Sequence, residues 1–191
     1  MTDKIIRCPW SEARAACKGN DPLMLAYHDT EWGKPCHDER KLFEMLTLEG
    51  AQAGLSWATI LHKRDNYRAA FDQWDIEKIA GYGEDKIAEL LANSGIVRNR
   101  LKIRSVVTNA QAVLKLGSLN KYIWGYVNGK QIVNEWTQMS EVPAKTGLSD
   151  RISRDMKKRG FKFVGSTIIY SYLQAIGIIN DHILECSFRG C

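Results

Sequence analysis

Residues 88–107 read AELLANSGIVRNRLKIRSVV, and the kind of fold turns on them. Helix-favouring residues pause at Asn93-Ser94-Gly95 and resume beyond it, so the stretch reads as helix, short turn, helix. A glycine at 95 can take a positive φ that other residues avoid. The helix that follows offers unpaired backbone N–H groups at its N-terminus, and Arg98, Arg100 and Lys102 crowd that end with positive charge. These features suit a phosphate. They follow the logic of a helix-hairpin-helix element over about residues 84–115, which grips a nucleic-acid backbone without reading its sequence. An ordinary αα-hairpin with a basic surface satisfies the same residues, so the rest of the chain must decide.

Outward from the hairpin, helix signals recur and strand signals are nearly absent. Asp21 before Pro22 opens one helix, Asp38 caps a second, and Ser56 caps WATILHKRDNYRAAF (57–71) as a third. Short helices are expected near 75–80 and 84–93, and a longer one across 97–115. In that longer helix Leu101, Val106, Ala110, Val113 and Leu114 approximate a single apolar stripe. Further helices are expected near 119–127, 149–158 and 166–177, with 128–148 the loosest stretch. The expectation is one all-α domain spanning 1–191.

At 191 residues, with 45% hydrophobic and 26% charged, the chain can bury a real core. No apolar run approaches the roughly 18 residues of a membrane span, and MTDKIIRCPW lacks the features of a signal peptide. A cytoplasmic protein without a membrane partner is expected. The net charge of +5 is concentrated in VRNRLKIR (97–104) and KKRGFKF (157–163), which points to a polyanion. Five cysteines in such a chain argue against a disulfide framework.

Two constellations carry chemistry. The stretch LEGAQAGLSW (48–57) puts Glu49 on the apolar face shared by Leu42, Met45 and Leu46, and Gly50 and Gly54 are read as breaking the helix there. At the chain's end, NDHILEC (180–186) places His182 and Cys186 at i and i+4, on one face if helical. Cys8 and His28 near the start could complete a tetrahedral Cys2His2 set of the kind that zinc prefers, with Cys36, His37 and His62 as competing ligands. Such a set would staple the two ends, about 8–28 and 180–186, and leave no open position for chemistry.

Taken together, YHDTEWG (27–33), LFEMLTLEGAQAGLSW (42–57), GIVRNRLKI (95–103), KKRGFKFVGSTIIYSYLQAIG (157–177) and NDHILEC (180–186) resemble one family, the 3-methyladenine DNA glycosylase I enzymes. The likeness runs from about Cys8 to Cys186 with the motifs in the same order. It implies a helix-hairpin-helix glycosylase holding one structural zinc ion through Cys8, His28, His182 and Cys186. It implies that Glu49 faces a flipped base between the aromatic residues Tyr27 and Trp57, with Gly54 and Leu55 approaching the gap the base leaves. The backbone contacts fall to Gly95, Arg98 and Lys102, and Cys17, Cys36 and Cys191 stand outside the ligand set. Where the family often carries a Tyr this chain has Met24, and PWSEARAACKGN (9–20) is longer than usual.

The implied activity is hydrolysis of the N-glycosidic bond of 3-methyladenine in alkylated duplex DNA, by a monomer needing no protein partner. A methylated purine is cationic, and departs neutral, so acid catalysis is hardly required. Residues 105–117 indeed contain no acid. A helical DNA-binding regulator or a small-molecule hydrolase would share some of these features. The former leaves Glu49, Tyr27 and Trp57 unexplained, and the latter predicts no salt-dependent duplex binding.

Overall fold

The structure is a computed structural model that describes residues 5–12 and 21–190. Ten α-helices are described: α1 (Pro22–Thr30), α2 (Glu39–Gln52), α3 (Trp57–Leu61), α4 (Arg64–Ala70), α5 (Ile76–Ala80), α6 (Glu84–Ala92), α7 (Arg100–Leu116), α8 (Leu119–Gly125), α9 (Gly147–Lys158) and α10 (Ser166–Ala175). A two-residue parallel bridge pairs β1 (Ile132–Val133) with β2 (Ile179–Asn180). The fold is thus mostly helical, as expected. No described helix is long and apolar enough to cross a membrane.

Helix α2 is the hub. Every residue from Leu42 to Ala51 is buried, because α10, α8, α7 and α3 pack around it. Its start is fixed by Asp38, whose side chain accepts from Lys41 N at 2.8 Å. Asp21 and Ser56 cap α1 and α3 in the same way. Around this hub α5 and α6 pack on α7, and α9 packs on α10.

Four readings need correction. Residues 57–71 form two helices: His62 N donates to Ala58 O and Lys63 N to Ile60 O, which tightens the end of α3 and redirects α4. That bend aims Arg64 and Tyr67 into the interior, so packing overrides local helix preference. Helix α7 begins at Arg100, capped by Asn99, and α6 and α7 are separated by the longer segment 93–99. The apolar stripe of α7 is also misread. Leu101 and Leu114 are exposed while Ile103, Val106, Val107, Ala110 and Val113 are buried, so the inward face is rotated from the expected one. Finally, Gly50 does not break α2 but lies within it, where a Cβ would come within 3.2 Å of Phe163 Cβ.

Cys17 and Cys191 lie outside the described residues.

Candidate active site and metal centre

The two chain ends meet as expected, though not by a helix. Residues 181–186 form an extended segment and turn after β2, and within it His182 Nδ1 lies 3.2 Å from Cys186 Sγ. Cys8, in extended backbone just before the short 3-10 helix Pro9–Ser11, places its Sγ 3.6 Å from the same nitrogen. His28, in the last turns of α1, brings Nε2 to 3.6 Å from Cys186 Sγ. All four side chains are buried, and their ligand atoms lie within 4.8 Å of one another. This set could hold a metal ion.

The far side of each imidazole supports that use. His28 Nδ1 pairs with Asp29 Oδ1 at 2.7 Å, and Asp29 is clamped in turn by Arg7 at 2.8 Å. His182 Nε2 lies 3.1 Å from Trp32 O. A carbonyl can only accept, so His182 donates from Nε2 and turns a lone pair inward from Nδ1; Asp29 does the same for His28. Burial lowers the pKa of both histidines, His182 to about 4, which keeps them neutral as ligands must be. The competing candidates are placed elsewhere. Cys36 O accepts from Trp124 Nε1, His37 pairs with Asn120, and His62 pairs with Asp21.

Beside this cluster opens a cleft of about 320 Å³. Trp10 and Trp32 border both, since Trp10 packs edge-on to His28 at 5.3 Å and Trp32 to His182 at 4.7 Å. Tyr27 and Trp57 face the same cleft with ring centroids 5.1 Å apart. Glu49 reaches it from the last turn of α2 and is only 5% exposed. No described residue donates a hydrogen bond to that carboxyl, and burial alone pushes its pKa up to about 8.

The opposite wall is organised by a group that sequence reading missed. Asp181 is wholly buried and accepts from Tyr170 OH at 2.6 Å, Gln174 Nε2 at 2.7 Å, Trp136 Nε1 at 2.7 Å and Asn134 Nδ2 at 2.6 Å. Tyr170 and Gln174 line the cleft, and the loose segment 128–148 supplies Met139, Val142, Pro143 and Ala144. The sequence held one hint of this, an aspartate directly before a candidate ligand histidine. Trp10 was equally legible, two residues beyond Cys8. Met24 is a buried core side chain and is not among the residues lining the cleft.

At the end of α2 the chain turns sharply. Leu55 N donates to Gln52 O at 2.6 Å, Ala53 has φ −46° and ψ 113°, and Gly54 has φ +78°. That is a type II turn, whose third residue needs the positive φ that glycine supplies. It leaves Leu55 41% exposed at its tip. A second depression of about 210 Å³ separates this turn from the start of α10 and shares Glu49 and Gln52 with the cleft.

The hairpin residues fare unevenly. Gly95 has no positive φ; it is small because a Cβ would come within 3.0 Å of Asn66. Asn93 Oδ1 accepts from Gly95 N at 2.8 Å, and Lys63 braces the carbonyls of Ser94 and Gly95. Arg98 is exposed and has no ion-pair partner among the described residues. Arg100 and Arg104 both face Glu84, at 3.7 and 2.7 Å. Lys102 is held differently from its neighbours. Its half-buried ammonium donates to Ala51 O at 2.8 Å and Ala53 O at 2.7 Å.

A family model described as methyladenine glycosylase matches residues 16–190. The chain belongs to that family. It is 47% identical to DNA-3-methyladenine glycosylase 1 of Escherichia coli (strain K12) over 184 residues, covering 94% of this chain and 95% of that one. A crystal structure of 3-methyladenine DNA glycosylase I superposes with a TM-score of 0.89 at 46% identity, covering 95% of this chain and 98% of the other. The glycosylase from Staphylococcus aureus, solved to explain how it recognises 3-methyladenine, matches with a TM-score of 0.88 at 37% identity, covering 94% and 96%. Among methyladenine glycosylases the aromatic cleft, not the fold alone, is what a shared substrate would require.

Proposed function

We infer that this chain excises 3-methyladenine from alkylated duplex DNA, hydrolysing the N-glycosidic bond and leaving an abasic site. One observation carries the reading: a carboxyl group, Glu49, is buried in an aromatic cleft with no partner among the described residues. Burying a carboxyl unpaired is costly, so its partner is to be sought in a ligand. A base inside a duplex must be extruded before its glycosidic bond is reachable. Leu55, exposed at the tip of its turn, fills the space left behind. Tyr27 and Trp57 stack on the extruded base, and its positive charge adds attraction to their faces.

Without a cation beside it Glu49 holds its proton up to about pH 8. A cationic purine favours the carboxylate, which then accepts from the exocyclic amine in a charge-assisted hydrogen bond. The C1′–N9 bond breaks with its electron pair going to N9, so the base leaves neutral. Water adds to C1′ and gives its proton to solvent. No lysine lines the cleft among the described residues, and we read the reaction as hydrolysis rather than a Schiff-base step.

The Cys8, His28, His182 and Cys186 donors fit zinc, which takes thiolates and neutral imidazoles in closed structural sites. Bound there, it would hold the two ends together and fix Trp10 and Trp32 beside the cleft. Metal analysis should find one zinc per chain, and Cys186→Ser should cost about 4 kcal/mol or more, as loss of a structural metal does. A metal-free chain with an unchanged melting temperature in that variant would end the zinc reading. Arg98 and the first-turn N–H groups of α7 then serve the DNA backbone as a helix-hairpin-helix does, with Gly54 and Gly95 keeping the flanking turns close. We take the protein to be a single-domain monomer acting alone in the cytoplasm, where bacterial DNA lies.

The test is direct. The purified protein is incubated with methylated duplex DNA and the released bases are identified. Free 3-methyladenine with matching abasic sites is the expected result; duplex binding without release would leave a DNA-binding protein, not a glycosylase.

A further inference from the structure

Helix α2 ends with carbonyl groups that its own ladder cannot satisfy. Gln52 O is taken by Leu55 N inside the type II turn. Ala51 O and Ala53 O, on either side of it, are both taken by Lys102 Nζ at 2.8 and 2.7 Å. The ammonium therefore sits at the negative end of the α2 dipole and grips the turn from behind. It is partly withdrawn from water, and burial lowers its pKa. Lys102 itself belongs to the first turn of α7, next to the segment that carries Arg98. One side chain thus ties the basic turn to the turn that presents Leu55.

We propose that Lys102 is the positioning residue for the Leu55 wedge, holding the 52–55 turn in shape and coupling the grip on the DNA backbone to extrusion of the base. The proposal rests on the reading of Leu55 as the residue that fills the gap. A lysine that met phosphate would stand in solvent, as Arg98 does; Lys102 directs its hydrogen bonds to two backbone carbonyls instead. A turn anchored only by its own hydrogen bond would sample other shapes. Leu55 would then enter the duplex from an ensemble, at an entropic cost paid on each encounter.

The experiment compares the full chain with Lys102→Met, which keeps the aliphatic stem, and Lys102→Arg, which keeps donors. Binding is measured across a salt series to one duplex carrying an abasic analogue and to the same duplex intact. Fluorescence of 2-aminopurine beside the lesion reports unstacking. Lys102→Met should lose preference for the abasic duplex by on the order of tenfold to a hundredfold, as small misplacements of working groups do. Its salt slope should stay put, because loss of one phosphate contact would lower the slope by about 0.9. Leu55→Ala should cost little more in the Lys102→Met background, and Lys102→Arg should restore much of the preference. The proposal falls if the slope drops by about one phosphate contact while preference survives. It falls equally if the Met and Ala effects simply add, or if Lys102→Met loses melting temperature alone. Wild-type protein that neither excises 3-methyladenine nor prefers the abasic duplex would instead refute the glycosylase reading itself.

Discussion

Two carboxylates five residues apart on α2 are buried to almost the same depth and treated in opposite ways. Glu44 is 3% exposed and Glu49 5%. Glu44 receives Arg64 Nε at 2.5 Å and Arg68 at 2.9 Å, and Arg64 passes on to Glu31 at 2.7 Å. Lys41 closes that network on Glu31. Glu49, turned roughly 140° around the helix from Glu44 by its spacing, receives nothing from the described residues and faces the cleft. Asp181, with its four donors, sides with Glu44. Burial alone therefore does not mark a working residue. An acid the chain has paired is scaffold, and an acid it has left unpaired beside a cleft is waiting for a ligand.

The sharpest way to break this contrast is to unpair the paired one. Glu44→Ala leaves Arg64 buried with half its partners gone, and breaking one side of a buried pair costs about 3–5 kcal/mol. Urea unfolding should show that loss, while protein still folded at low temperature should excise at close to the wild-type rate. A cost under about 1 kcal/mol, typical of an exposed pair, would mean that the network is decorative.

Next in size is the effect of Glu49→Gln on excision. The amide keeps the shape but loses the charge and offers a donor where the base also presents one. Losing a charge-assisted hydrogen bond costs about 1.5–3 kcal/mol, or roughly a ten- to two-hundredfold fall in single-turnover release of 3-methyladenine. Binding to a duplex bearing an abasic analogue should hardly move, since Arg98 and Leu55 remain. Trp57→Ala should split the two measurements in the same way. Release at the wild-type rate by Glu49→Gln would make that carboxyl a second Glu44.

Which parts could be read from the chain follows from the range of the interactions. Caps at Asp21, Asp38 and Ser56 are local and were legible, as were the later helices. The bend between α3 and α4 was not, because its reason is an arginine reaching Glu44 some twenty residues earlier. The Cys2His2 set was visible as residue types, but its i, i+4 pair lies on a turn, so the helical argument for it was wrong while its residues do meet. Glu49 stood out because an acid on an apolar face has no local explanation. Lys102 looked like every other cation in VRNRLKIR, and nothing local tells a lysine facing solvent from one folded back on α2. Asp181 and the 139–144 wall depend on contacts across the whole chain and left only faint traces.

The smallest effect separates burial of the Glu49 carboxyl from its role in binding. Its pKa rises from an ordinary 4.5 to about 8 in the folded protein because burial disfavours the charged form. Between those values the folded state keeps a proton that the unfolded chain gives up, so the contribution to stability is fully present below the lower value. It is lost as pH rises toward the upper one and levels off beyond it. Full dehydration would make the loss near 5 kcal/mol at about 1.36 kcal/mol per pH unit, but the cleft admits water and about 1–2 kcal/mol is expected. Glu49→Gln carries no such proton. Its stability relative to wild type should be level in acid, climb through neutral pH in the variant's favour, and flatten above about pH 8. Subtracting the two curves removes the histidines and other groups that titrate in both proteins. A difference that stays flat from acid to alkaline pH would show the carboxyl to be hydrated or paired, and the contrast with Glu44 would then rest on excision alone.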